Sequence, residues 1–152
     1  MAALPPYRGG VDLDDLPLME LGFPGRLRDQ LVGAVLDGSK TTTTGLVVDY
    51  ERDGELPEAG QRYAVIDTDG RRVAAIEMTE VRVLRLADVD LQHIIDEGEG
   101  DESVPQWRTN HEGFWHGEEM RAELGDPEFT VNDDTLILAQ RFRVLHDVAD
   151  PE

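Results

Sequence analysis

The sequence contains a single lysine, Lys40, within the segment GSKTTTTG. Arginine stays protonated in proteins, whereas a desolvated lysine can lose its proton and act as a base or a nucleophile. The threonines that follow add hydroxyl groups, and on an extended strand Thr43 lies on the opposite face from Thr42 and Thr44. The alternative is that Lys40 interacts with the negative C-terminus of the preceding helix and that the threonines begin a strand. Spacing alone leaves both interpretations open.

An acidic, glycine-rich stretch, DEGEGDE, is the second region that could carry chemistry. As a calcium loop it fails, because Glu102 stands where the loop requires glycine and no bidentate acid follows at the right distance. It also does not join a strand to a helix as the dinucleotide fingerprint does. Its carboxylates, Glu97 and Glu99, remain candidates for acid–base chemistry.

The segment HEGFWH resembles a zinc-protease motif but has the wrong spacing. His111 and His116 are five residues apart, which on a helix separates them by about 140°, whereas a converging pair is about 40° apart. His93 and His146 stand alone in the sequence, no Walker or G-x-S-x-G motif occurs, and the absence of cysteine excludes thiolate chemistry and thiolate-ligated metals. The sequence therefore predicts no resident metal site.

Composition limits the class of protein and the kind of partner. The chain has 152 residues, 33 acidic against 14 basic, and a formal net charge of −19. This length fits one domain, and the charge opposes tight binding of long nucleic acids while leaving room for a small nucleoside pocket. No stretch is apolar enough for a membrane span or a leader peptide, so we expect a cytoplasmic protein without a membrane partner. Monomer and homodimer remain open.

The pattern of elements predicts an α+β fold. We expect a polar N-terminal arm over residues 1–19, one domain over 20–148 and a short tail over 149–152. Within the domain, PGRLRDQLVGAVLDG predicts a helix that ends at a glycine, and GLVVDY and QRYAVID predict strands. DTDGRR predicts a hairpin turn that leads into the strand RVAAIEMTEVRVLRL, and ADVDLQHIIDE predicts a short helix. A helix capped by Ser103 is predicted for VPQWRTNHEGFWHGEEMRAELG, and a closing strand for DTLILAQRFRVLHDV.

Three segments together resemble an ASCH domain: LGFPGRLRDQLVGAVLDGSKTTTT, EVRVLRLADVDLQHIIDEGEGDESVPQWRTNHEGFW and LILAQRFRVL. The resemblance covers roughly residues 20–146. It implies a PUA-like fold, a small mixed β-barrel flanked by helices, and an association with RNA. Some ASCH domains hydrolyse the amide of N4-acetylcytidine and others are metal-assisted ribonucleases, so the resemblance implies a hydrolase that acts on a modified nucleoside or on RNA.

Carried over by position, the resemblance implies catalytic roles for Lys40, Thr43 and Glu99, with Glu97 as the alternative acid. No cofactor is implied, except a divalent metal if the protein is a ribonuclease. The further candidates for substrate contacts are Thr41, Thr42, Glu97, Arg72, Arg108, Trp107 and His111.

The sequence departs from the family at Gly45, where the usual ASCH signature has an arginine. Arg71, Arg72 or Arg108 would then have to anchor the substrate. Trp107 and His111, one helical turn apart, could stack on a base, or they could belong to the core. The alternative to an enzyme is a non-enzymatic module that binds RNA or a nucleotide.

Overall fold

The protein is described here by a computed structural model that covers residues 12–145. Within this span the strands are β1 (Leu18–Met19), β2 (Thr42–Leu46), β3 (Arg62–Ile66), β4 (Arg72–Arg85) and β5 (Leu136–Val144). The α-helices of the same span are α1 (Arg26–Asp37), α2 (Val47–Arg52), α3 (Leu91–Asp96), α4 (Val104–Trp115) and α5 (Glu118–Leu124). Predictions for residues 1–11 and 146–152, including most of the N-terminal arm, His146 and the tail, lie outside the described residues.

The five strands form one mixed sheet in the order β1-β3-β4-β5-β2. Only β1 and β3 are parallel, and the other neighbours pair antiparallel, with a register shift in β4 between Met78 and Glu80. The α+β class predicted from the sequence is confirmed. The small mixed β-barrel implied by the family resemblance is not confirmed, because the sheet is open: β1 and β2 are its two edges and do not pair with each other.

Helices cover both faces of the sheet, and each face has its own apolar core. On one face Val32 and Val35 of α1 pack with Ile76 and Phe142 of the sheet. On the other face Trp107 and Trp115 of α4 pack with Ile137 and Leu46, together with residues of α3 and α5. The strands β2 and β5 therefore separate two layers of helices, and neighbouring side chains along them enter different environments.

The helix boundaries follow the capping signals of the sequence. Helix α1 ends at Gly38, whose φ of 88° is left-handed, as predicted. Ser103 caps α4 by accepting a hydrogen bond from the Gln106 amide, with proline in the first turn. The predicted continuation of α4 to residue 125 is wrong, because the chain becomes extended at Gly117 before α5 begins.

The strand predicted for GLVVDY is wrong after its first two residues. The preceding threonines form β2, which ends at Leu46, and residues 47–52 form α2. The helical turn brings the Tyr50 ring back over Gly45, so close that a Cβ atom at residue 45 would lie 2.5 Å from Tyr50 Cε2. The β-rich composition of this segment is overridden by a tertiary contact that only a glycine at residue 45 permits.

The outer edge of β2 is covered by the C-terminus of α3. The amide of Thr41 donates to the Asp96 carbonyl at 2.8 Å, and the Thr42 hydroxyl donates to the His93 carbonyl at 2.8 Å. The Asp96 carbonyl is one that the end of a helix leaves without a partner, whereas the His93 carbonyl accepts the Thr42 hydroxyl in addition to the Glu97 amide. The two bonds from the threonines fix the acidic segment after α3 against the chain at Lys40.

Gly98 makes this contact possible. Its φ is 67°, and a Cβ atom there would lie 2.3 Å from the Ser39 carbonyl oxygen and 3.0 Å from the Lys40 amide nitrogen. The acidic loop thus approaches the backbone at Lys40 more closely than any side chain would allow.

We expect Gly98→Ala to destabilise the protein more than Gly100→Ala does. Both glycines have positive φ, which costs alanine about 1 to 2 kcal/mol, but a Cβ at Gly100 meets nothing within 4 Å. Gly98→Ala adds a backbone clash that we expect to cost roughly 1 to 3 kcal/mol more. Urea unfolding of the two variants measures the difference. Equal losses of stability would contradict the close approach.

Candidate functional site

Lys40 is buried and paired with an acid of the loop after α3. Its side chain is 0% exposed, and its Nζ lies 2.8 Å from Glu99 Oε2 and 3.4 Å from the Glu97 carbonyl oxygen. The Glu99 side chain is 25% exposed. The pair therefore has one end enclosed by protein and one end that reaches the surface.

The Glu97 carboxylate lies at the centre of the cluster and is 1% exposed. Its Oε1 accepts a hydrogen bond from the Trp107 indole at 2.9 Å, and His111 Nε2 lies 3.3 Å away. Its Oε2 accepts from the Thr44 hydroxyl at 2.5 Å, and His93 Nε2 lies 3.4 Å away. Side chains from β2, α3 and α4 thus converge on one buried carboxylate.

The hydrogen-bond partners determine where the protons lie. His111 Nδ1 is 3.1 Å from the Trp107 carbonyl oxygen, which can only accept, so Nδ1 carries a proton. Its Nε2 faces an ionised carboxylate, which also only accepts, so His111 is the doubly protonated imidazolium. The single Thr44 proton points to Glu97, hence His93 Nε2, 2.8 Å from the Thr44 oxygen, is the donor of that contact.

Electrostatics keep Glu97 ionised despite its burial. Burial alone would raise the pKa of Glu97, but hydrogen bonds from His111 and His93 and the positive charge of Lys40 outweigh it and hold the pKa well below its usual range. Burial alone would lower the pKa of His111, but its contact with Glu97 and the charge of Glu99 raise it above the ordinary 6.5. Two acids and two cations therefore balance in one small volume.

Three residues of the cluster could hold a divalent cation. Glu97, Glu99 and His111 each offer a ligand atom, and these atoms lie within 4.8 Å of one another. Both carboxylates already accept hydrogen bonds in this arrangement, Glu99 from Lys40. A metal would have to displace the proton on His111 Nε2 and compete with the ammonium group of Lys40.

The structure brings together most of the predicted site. Lys40 meets Glu99 through its side chain and Glu97 through a backbone carbonyl, so the two acids have different positions rather than alternative ones. His111 and Trp107 join the same cluster through Glu97.

The four threonines divide between the two faces of β2. The hydroxyl groups of Thr42 and Thr44 bond to α3 on the face that carries Glu97. Thr43 pairs with Gln140 of β5 and lies on the opposite face, and within residues 12–145 its hydroxyl makes no hydrogen bond. Thr41 binds Asp96 through its amide and its hydroxyl. A catalytic role for Thr43 remains a prediction, and Thr44 is the hydroxyl that contacts the buried cluster.

Trp107 packs as a core residue. It is 0% exposed, its ring stacks on His111 with centroids 4.2 Å apart, and the ring of Trp115 meets it edge-on. The face on which a nucleobase would stack is occupied by protein. His111, whose side chain is 14% exposed, is the member of this group that reaches the surface.

The predicted arginines do not approach Lys40. Arg72 begins β4, just after the turn of the β3–β4 hairpin. In that turn Thr68 bonds to Gly25 at the start of α1, whereas Lys40 follows the end of α1. A helix of this length spans about 18 Å. Arg108 is engaged by Glu112 and by Asp133, the latter at 3.0 Å. At Gly45, the position of the family arginine, the Tyr50 ring packs over the backbone.

Most arginines of residues 12–145 pair with acids. The arginines within 4.0 Å of a carboxylate are Arg28, Arg52, Arg62, Arg71, Arg82, Arg85, Arg108, Arg141 and Arg143. Such pairs neutralise local positive potential. The described surface therefore offers little basic area for a phosphate backbone.

Sequence reasoning missed His93 and Tyr50. The signal for His93 was available, because His93 and Glu97 are four apart on a predicted helix and so share a face. Tyr50 gave no such signal, since it lay in a segment predicted to be a strand.

Comparison with known proteins agrees with the fold class and with the family that the sequence resembles. The sequence profile of the ASCH domain matches residues 20–146. The chain belongs to the ASCH family. The family has a PUA-like fold that is associated with RNA binding. No functionally curated protein matches this ASCH domain.

Two solved structures resemble this ASCH domain. The ASCH domain from Lactobacillus crispatus JV V101 is 26% identical with a TM-score of 0.70, and the match covers 84% of this chain and 78% of that one. A protein from Enterococcus faecalis V583 described under the family DUF984 is 24% identical with a TM-score of 0.72, covering 85% and 76%. The second likeness concerns the fold alone. Within residues 12–145, no helix is long and apolar enough to cross a bilayer.

We expect Thr44→Val to destabilise this ASCH domain and Thr43→Val to leave it nearly unchanged. The first removes a donor from the buried Glu97 carboxylate, at a cost of about 1 to 3 kcal/mol. The second removes no hydrogen bond within the described chain, and we expect a change below about 0.5 kcal/mol. Chemical denaturation of both variants measures these values. A larger loss for Thr43→Val would show that its hydroxyl has a structural partner.

The titration of His111 provides a pH test of the cluster. Because its folded pKa is raised, its contribution to stability is complete below the ordinary value of 6.5 and is lost as the pH rises through the folded pKa. The depressed pKa of Glu97 has the opposite effect. Its contribution to stability is present above the ordinary glutamate pKa of 4.5 and is lost as the pH falls below that value.

We therefore expect the difference in stability between wild type and His111→Gln to be largest between pH 4.5 and pH 6.5 and to shrink at higher pH. Denaturation midpoints over a pH series measure the difference, and the imidazole NMR signal of His111 should titrate above its ordinary value. A His111 that titrates at or below its ordinary value would contradict the imidazolium assignment.

Proposed function

We propose that this ASCH domain is a hydrolase that cleaves the amide of an acylated nucleoside of the N4-acetylcytidine class, with Lys40 and Glu99 exchanging the proton. The observation that supports this most directly is the burial of Lys40 against a partly exposed Glu99. Apolar residues of similar volume usually stabilise a fold as well as a buried ion pair does, or better. The presence of Lys40 at this buried position is therefore better explained by a chemical role of its ammonium group than by a contribution to folding stability.

The positions of the two groups suggest how the proton moves. An oxygen nucleophile forms a bond to the acyl carbon and gives up its proton to the Lys40–Glu99 pair. The carbon–nitrogen bond then breaks, and the pair returns a proton to the leaving amine. Glu99 is the member that reaches the surface, so it contacts the substrate while Lys40 exchanges the proton behind it.

Water is the nucleophile that fits this arrangement best. Thr43, the nucleophile implied by the family, lies on the other face of β2 from the hydroxyl of Thr44. Thr44 donates its proton to Glu97 and serves the buried cluster. A role for Thr43 would require the substrate to reach both sides of the edge strand.

A metal-assisted ribonuclease is the second candidate. It is favoured by one observation, the ligand atoms of Glu97, Glu99 and His111 within 4.8 Å. The proton on His111 Nε2 and the ammonium group of Lys40 oppose metal binding, because a metal would have to displace the one and compete with the other. The third candidate, an RNA-binding module without activity, is disfavoured by the net charge of −19 and by the pairing of most arginines with acids.

Lys40→Met tests the proposal because it keeps the apolar stem and removes the ammonium group. With a panel of acylated cytidines and short RNAs, assayed by mass change with and without divalent metal, we expect wild type to release the acyl group. We expect Lys40→Met to lower the rate by about 10²- to 10⁴-fold. Glu102→Gln is the matched control, since Glu102 is an exposed acid of the same loop, and it should retain the wild-type rate.

Three results would contradict the amidohydrolase proposal. The first is a wild type that leaves every acylated nucleoside intact, and the second is a Lys40→Met variant that keeps the wild-type rate. Cleavage of RNA only when metal is added would select the ribonuclease instead. Thermal unfolding of Lys40→Met, measured in parallel, separates lost chemistry from lost structure.

A further inference from the structure

Gln140 is a buried polar residue on the face of the sheet opposite to Glu97. It is 0% exposed, and its Nε2 donates to the Tyr50 hydroxyl at 3.0 Å. Its Oε1 is buried and has no hydrogen-bond partner within the described chain. A buried acceptor without a partner destabilises a fold, and an apolar side chain of similar shape would avoid the loss.

Other polar groups lie beside Gln140. Thr43 is its pairing partner across β2 and β5, so the two side chains leave the sheet on the same face. Gly45 is two residues farther along β2 on that face, and the Tyr50 ring packs directly on it. Both Thr43 and Tyr50 are half-buried, and within residues 12–145 the Thr43 hydroxyl makes no hydrogen bond.

The geometry points to a ligand subsite formed by Gln140, Tyr50 and Thr43, which binds a small neutral group that presents an N–H donor next to an acceptor. Gln140 Oε1 accepts from the ligand N–H. The Tyr50 hydroxyl already accepts from Gln140, so its own proton is available to the ligand acceptor. Rotating the Gln140 amide exchanges these two roles and still leaves one donor and one acceptor.

An adjacent donor and acceptor form the hydrogen-bonding edge of a nucleobase. The choice of a nucleobase as the ligand rests on the nucleoside class of the proposed function, whereas the subsite itself rests on the orphaned Gln140 oxygen. Because the subsite lies on the face of the sheet opposite to Glu97, the base that it binds is distinct from the nucleoside whose amide the Lys40–Glu99 pair cleaves. The subsite also explains the glycine at residue 45, because any larger residue there would displace the Tyr50 ring from the subsite. The subsite involves none of the side chains of the Lys40 cluster, so binding here and proton transfer there can be separated by mutation.

Gln140→Leu separates a ligand-binding role from a structural one. We expect its thermal midpoint to equal or exceed that of wild type, because the substitution removes a buried acceptor without a partner. We expect its affinity for the probes cytidine, uridine and N4-acetylcytidine to fall about tenfold or more, measured by calorimetry. Tyr50→Phe should weaken the same probes, and Gln92→Leu, on an exposed part of α3, is the matched control that should not.

The side-chain amide signals of Gln140 in NMR spectra provide a readout independent of turnover. We expect them to shift on addition of a probe nucleoside to wild type and to Lys40→Met alike. The proposal is overturned if no probe shifts them, if Gln140→Leu binds the probes as wild type does, or if Gln140→Leu is clearly less stable. If Lys40→Met loses hydrolysis while Gln140→Leu keeps the wild-type affinity for the probes, the proposed function alone is supported. If the probes bind but no substrate is hydrolysed, the subsite alone is supported.

Discussion

The buried carboxylate of Glu97 is the constraint on which the arrangement of the site depends. An ionised acid that is 1% exposed is tolerated only where donors surround it, and here they come from three different elements. Trp107 supplies one from α4, Thr44 one from β2, and the two histidines complete the shell. The helices and the edge strand are thereby fixed in one relative position. The loop that carries Glu99 follows Glu97 directly, so its position beside Lys40 is a consequence of the same anchoring.

Burial of Lys40 is tolerated for a related reason. Among the described residues 12–145, its ammonium group has two oxygen neighbours within hydrogen-bond distance, the carboxylate of Glu99 and the carbonyl of Glu97. The carbonyl belongs to the C-terminus of α3, where the partial charge is negative. One interpretation of the sequence places Lys40 against the end of the preceding helix, α1. The helix end that it contacts belongs instead to α3, which is distant in sequence and adjacent in space.

Local signals and tertiary contacts contributed differently to what could be predicted. Helix α1 with its glycine cap, the Ser103 cap of α4 and the β3–β4 hairpin follow from spacing and turn chemistry, and the structure confirms them. The meeting of Lys40 with Glu99 was implied by family resemblance and not by spacing. The helix α2 was missed because its β-branched residues favour a strand, and the packing of Tyr50 on Gly45 decides otherwise. The barrel implied by the family resemblance is not confirmed, because pairing between edge strands is set by the whole topology and not by any one strand.

The acidity of the chain has a consequence for the kind of substrate that the site can attract. Within residues 12–145 nine arginines already pair with acids, so the remaining field is negative and repels a polyanion during approach. A neutral nucleoside is indifferent to that field. Within the site, Lys40 and His111 balance Glu97 and Glu99, so a neutral ligand also meets little net charge there. Recognition must then come from hydrogen bonds and shape, and discrimination of this kind is strongest where a buried polar group has no other partner.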